Sequence, residues 1–193
     1  MTIELKGNTL LDKSIFDEIA GRDVTVIIKL SGGAYWKING RDIEKAKKVN
    51  MGAKMNSKAV SNDELKELAG DNKTVQFSLK HRGEFGFKAI LSVPINKKYN
   101  DSYANLYYYN NGGFEFVGSS LISGGYAEFV FTHASDYVIV IDDEAYGEDV
   151  SSAAGKYETS GFMSERPYMG IVVIVPAGIL IAAVLRKRAK ASR

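Results

Sequence analysis

No cysteine occurs among the 193 residues, so neither a disulfide framework nor a thiolate metal site can form. The chain also lacks a nucleophile elbow, and no Walker A or dinucleotide-binding glycine pattern follows a strand. Acidic residues occur in runs at 142–144 and 148–149, without the alternating Asp/Asn and glycine spacing of a calcium loop. Basic residues are scarce where a nucleic-acid surface would need them. Of 25 Lys and Arg, five fall in the final eight residues, which contain no acid, leaving 20 against 23 Asp and Glu in the remainder. Such a balance points away from nucleic acid as a partner.

What is present is a core-forming composition. With 45% apolar and 25% charged residues, the chain fits one ordinary domain plus something extra. Eleven tyrosines and nine phenylalanines favour strands.

Residues 168–185, YMGIVVIVPAGILIAAVL, carry no charge and run directly into RKRAKASR. At about 1.5 Å per residue, such a helix nearly spans a hydrocarbon core of about 30 Å. Pro176 and Gly178 are tolerated in membrane helices, and Tyr168 suits the interface. The positive-inside rule places the basic tail in the cytoplasm and the preceding domain outside. MTIELKGNTL offers no apolar run of signal-peptide length, so the chain reads as the C-terminal piece of a longer exported protein.

Before that run the sequence alternates as short strands separated by turn signals. VTVIIKL places Val24, Val26, Ile28 and Leu30 on one face, and TVQFSLKH turns Val75, Phe77 and Leu79 inward. Asn39-Gly40 is a type I′ hairpin signal, and a second hairpin turns through residues 110–113. FKAILSVPI carries Pro94 near its end, and GGYAEFVFTH and SDYVIVID are the last two strands. Helices are expected over 13–20, stopped by Gly21, and over 63–69, capped by Ser61 and stopped by Gly70. The expected fold is mainly β: an antiparallel β-sandwich with two short helices, plus one C-terminal transmembrane helix. Its divisions are an extracellular β-sandwich domain at 1–142, a flexible stalk at 143–166, the transmembrane helix at 167–185 and a basic cytoplasmic tail at 186–193.

AGRDVTVIIKLSGGAYWKINGRDI, ANLYYYNNGGFEFVGSS and AEFVFTHASDYVIV together resemble a C-terminal module of Gram-positive, clostridia-type cell-surface proteins that commonly precedes a membrane or wall anchor. That resemblance implies an extracellular module and supplies no catalytic residues. The anchor layout also resembles cell-wall sorting signals, but residues 157–161, YETSG, lack the Leu-Pro pair, which favours a retained helix. His133-Ala134-Ser135 further resembles the self-cleaving corner of GAIN-type domains, a His-x-Ser/Thr triplet in a tight turn between the final strands. There His133 would take the Ser135 hydroxyl proton and a strained peptide bond would be the electrophile. The plainer reading makes Ser135 or Asp136 a turn cap. Tyr107 and Tyr109 are expected on the solvent face, where they could stack on a glycan or meet another surface protein; Trp36 is expected in the core. The sequence thus leads to a non-enzymatic, cofactor-free, membrane-anchored surface module for structure or adhesion. Aromatic-mediated binding through Tyr107 and Tyr109, and self-processing before Ser135, are the alternatives.

Overall fold

The structure, a computed structural model, describes residues 1–5 and 7–147. The uncharged run, the basic tail and most of the expected stalk lie outside the described residues. Among the described residues no helix is long and apolar enough to cross a membrane.

In chain order the elements are β1 (Thr2–Glu4), β2 (Leu10–Leu11), α1 (Lys13–Ile19), β3 (Thr25–Lys29), β4 (Tyr35–Asn39), a 3-10 turn (Gly40–Asp42), β5 (Val49–Asn50), β6 (Ala53–Met55) and α2 (Asn62–Ala69). They continue as β7 (Thr74–Pro94), a second 3-10 turn (Lys97–Tyr99), β8 (Tyr103–Asn110), β9 (Gly113–Leu121) and β10 (Tyr126–Asp142). The chain is mainly β with two short helices. One sheet runs β1-β3-β4-β7-β10-β8-β9 with β6 also on β7, and β2 pairs separately with β5. The sheet is mixed, because β1 lies parallel to β3 while the other pairs are antiparallel. A parallel pair requires a crossover, and the segment containing α1 supplies it.

β7 and β10 organise the fold. Twenty-one residues of β7 would span about 70 Å if straight. Instead Val75 and Pro94, near its opposite ends, line one cavity. The bend comes from two register shifts against β10. Thr132 alone stands between the pairs Phe131–Ala89 and His133–Glu84, and Ser135 alone between Ala134–Gly83 and Asp136–Ser78. Four β7 residues bulge out opposite each, and Gly83 and Gly86 at φ +76° and +81° absorb the turn. The two final strands expected from the sequence are therefore one strand, and the two strands expected over residues 74–95 are also one.

The core fills the concave side of this bend. Trp36, fully buried, meets Phe85 and Phe131 edge-on at 5.7 and 5.8 Å, and Phe131 meets Phe77 and Tyr137 at 6.1 and 4.9 Å. Burying each such ring contributes about 2–3 kcal/mol. The indole Nε1 of Trp36 donates to the Met51 carbonyl at 2.7 Å, so its one polar atom is satisfied. α1 inserts Phe16 and Ile19, with Phe16 4.8 Å from Phe87. α2 has no buried residue and is held by its capping box, Ser61 with Glu64.

Two local expectations change. Val26, Ile28 and Leu30 are buried as read, but Val24 is exposed. Asn39-Gly40 forms no hairpin: the β3–β4 turn lies at Gly32 and Gly33, φ +87° and +86°. The Asn39 side chain instead accepts from the Arg41 amide and starts a 3-10 turn. Gly40 is needed for space, since a Cβ there would lie 2.0 Å from the Ile19 carbonyl oxygen at the end of α1. The hairpin expected at residues 110–113 does form, with Asn111 and Gly112 both at positive φ, +48° and +81°.

Candidate functional site

The corner at His133 is built by the register shifts, which leave Ser135 without a cross-strand partner. The His133 ring stands edge-on to Tyr108 at 5.4 Å, and its Nδ1 lies 3.3 Å from the Tyr137 hydroxyl. That hydroxyl also lies 3.2 Å from the His133 carbonyl oxygen. Burial pushes the Tyr137 phenol well above its ordinary range, so it remains a neutral donor. No hydrogen bond joins His133 to Ser135. The backbone from residue 132 to 136 has no positive φ, so no left-handed strain is stored at the corner. Asp136 accepts a hydrogen bond from the Ser78 hydroxyl, its register partner on β7, a role across the sheet where sequence suggested a local turn cap.

His81 is half-buried beside Phe85 at 5.7 Å, and its Nδ1 accepts from the Asn50 amide at 3.3 Å. Asn50 in turn gathers the Thr9 hydroxyl at 2.7 Å and the Gly52 amide at 3.0 Å, joining β2 and β5 to the bulged stretch of β7. Burial pushes the His81 imidazole down; a backbone hydrogen bond with Glu84 opposes this and Lys47 adds to it.

The expected aromatic pair separates. Tyr107 is 3% exposed, its ring edge-on to Phe116 at 5.5 Å, and is not a solvent-face residue. Burial, with the nearby Asp142 charge, pushes its hydroxyl far above the ordinary tyrosine range. Tyr109 is half-buried, 5.2 Å from Phe114, and its hydroxyl donates to Glu64 on α2 at 2.7 Å. Hydrogen bonds from the Ser61 hydroxyl, then from Tyr109, hold the Glu64 carboxyl below its usual range.

The chain leaving β10 lies on the face of β8 that Tyr107 shares with Asn105. Asn105, between apolar neighbours on β8, is fully buried with every polar atom engaged. Its Nδ2 donates to the Glu144 carbonyl at 3.0 Å, and its Oδ1 accepts from the Tyr146 amide at 2.8 Å and from the Ser119 hydroxyl. The Tyr146 hydroxyl donates to Asp142, which also accepts from Asn72 at 2.7 Å. Burial alone would raise the Asp142 carboxyl, but the donors from Tyr146, Glu144, Asp143 and Asn72 outweigh it and hold it low. The first five residues of the expected stalk, 143–147, are thus seated on β8 and β9. A buried asparagine inside ANLYYY was the available signal, since a buried amide requires partners from outside its own strand.

Among the described residues no group of three His, Asp or Glu is placed to hold a metal ion. The chain matches no family model, no curated protein and no solved structure.

Proposed function

We propose that the chain is a membrane-anchored bacterial surface protein, or the C-terminal part of one, in which a non-enzymatic β domain stands outside the cell as a membrane-proximal structural or adhesion module. The observation that carries this reading is the uncharged run at 168–185 followed by five cations and no acid. The domain's C-terminal end suits the role. Residues 143–147 are fastened to the sheet through Asn105, so tension from an anchored stalk would meet a hydrogen-bonded clamp before it reached β10. The bent β7 and β10 and the single core between their halves support a sandwich as the finer description of the fold.

Alkaline carbonate extraction tests the anchor. The full chain should stay in the membrane pellet, and a chain ending at residue 167 should be released. Release of both would overturn the reading.

A second reading, recognition of a glycan or surface protein, is favoured by Tyr109 alone, whose ring adjoins Phe114 and whose hydroxyl is paired with the carboxylate of Glu64. Binding on a glycan array that survives Tyr109→Ala would remove it.

A further inference from the structure

The acidic balance of the domain conceals a cationic face that only the fold assembles. Residues 43–52 run antiparallel to residues 87–80 of β7. Ile43 bridges to Phe87, the Lys45 amide donates to Gly86 at 2.9 Å, the Asn50 amide reaches His81, and the Lys80 amide donates to Gly52 at 2.8 Å. Gly86 makes the approach possible, since a Cβ there would lie 2.4 Å from the Lys45 carbonyl oxygen. The crossing runs the segment bearing Lys45, Lys47 and Lys48 alongside the segment bearing Lys80, Arg82 and Lys88. Five of these six are exposed and Lys47 is half-buried. Among the described residues the ion pairs are Lys13–Asp17, Lys37–Glu128 and Arg41–Asp23, so none of the six is neutralised by a salt bridge. Over residues 42–52 and 80–88 only Asp42, Glu44 and Glu84 oppose them, with Asp42 near Lys88.

We propose that this face, centred on the bulged stretch of β7, is a docking surface for a linear polyanion bearing phosphate groups along its length. The shape favours a polymer over a single anion. From Lys80 to Lys88 the strand offers at most about 26 Å of contour, several phosphate spacings. The composition argues against the other polyanionic partners. Phe85 and Phe87, the aromatic residues of this stretch, are buried, so neither offers an exposed platform for stacking nucleobases. Neither of the two segments carries an exposed large apolar side chain, and Leu10 on the strand paired with β5 is too little to insert into a bilayer. Counterion release from the polymer would supply the driving force, which makes binding steeply salt-dependent.

The test uses the full chain in neutral detergent, titrated with long-chain inorganic polyphosphate at about 50 and 200 mM salt. Binding should weaken at the higher salt. Lys48→Glu with Arg82→Glu should lower affinity at least tenfold, and Lys58→Glu with Lys66→Glu, a control on the α2 side, should leave it within twofold. Neutralising Arg186, Lys187 and Arg188 to glutamine separates any contribution of the tail: the tenfold effect of the Lys48/Arg82 pair should persist in that background. Unchanged emission from Trp36, the single tryptophan, verifies that each variant is folded. Four results would overturn the proposal: equal affinity for pyrophosphate, an unchanged affinity in the Lys48/Arg82 variant, an equal loss in the control pair, or face-dependent binding to phosphatidylglycerol vesicles without binding to polyphosphate.

Discussion

The side-chain amide of Asn105 donates to the Glu144 carbonyl at 3.0 Å while its oxygen accepts from the Tyr146 amide at 2.8 Å, so one buried residue of β8 holds both ends of a short backbone strap. The folded domain accordingly continues beyond the last strand into the strap.

Asn105→Ala should therefore cost about 2–4 kcal/mol, because it removes the hydrogen bonds to the Glu144 carbonyl, the Tyr146 amide and the Ser119 hydroxyl together and leaves only the Ser119–Tyr146 bonds between β9 and the strap. Chemical denaturation should show this loss, and hydrogen exchange at the Tyr146 amide should rise before that of β10. A stability unchanged within 0.5 kcal/mol would mean that the strap does not hold.

Gly40→Ala should destabilise by about 3 kcal/mol or more, since the added methyl meets backbone atoms of Ile19 and Arg22 that cannot step aside. Gly112→Ala should cost about 1 kcal/mol: nothing lies within 4 Å of its Cβ, and only the positive φ of +81° resists. Comparing thermal midpoints of the two variants separates a packing requirement from a conformational one.

This pair of glycines shows what local sequence conveys. Asn111-Gly112 and Asn39-Gly40 are the same dipeptide, yet only the first turns a hairpin. The second is decided by the C-terminal end of α1, which the dipeptide does not report. The alternation of apolar residues correctly placed Phe77, Leu79, Val26 and Ile28 in the core, because one face of a strand must be buried. The same rule misplaced Tyr107, because alternation assumes an open outer face and on that face of β8 the strap is seated at Asn105. Gly83 and Gly86 resemble strand ends in sequence, but positive φ at a bulge bends a strand without ending it. The parallel placement of β1 and the cationic face both depend on contacts between distant segments, which no local pattern encodes.

His81 should make stability fall on mild acidification. Its folded-state pKa lies below the unfolded value of 6.5, so the unfolded chain binds a proton that the native chain resists. The contribution is complete above about 6.5 and is lost as pH falls from there toward the folded pKa. Lys47, from the chain before β5, faces the ring; Lys80, Arg82 and Glu84 flank it on β7; the adjoining residues of β2 and β5, Thr9–Leu11 and Val49–Asn50, carry no ionisable side chain. Denaturation midpoints between pH 7 and 5 should decline less for His81→Phe than for the parent chain. An identical decline would assign the effect elsewhere.

Asp142 should act in a lower window. Its carboxyl is held below the ordinary 3.8 by its donors, so the stability it contributes is present above that value and disappears as pH falls through the folded pKa. Tyr146→Phe removes the hydroxyl donor and should shift that acid loss to higher pH. Acid titrations followed by the emission of Trp36 would reveal the shift.

The central claim, a domain displayed outside and a tail inside, is tested most directly by cysteine accessibility, which the absence of native cysteine makes clean. Single cysteines replace the exposed Glu115 on β9 and Lys190 in the tail, in cells producing the chain from its own gene. A membrane-impermeant maleimide should label position 115 in intact cells and position 190 only after permeabilisation. Labelling of position 190 in intact cells, with position 115 protected, would contradict the account.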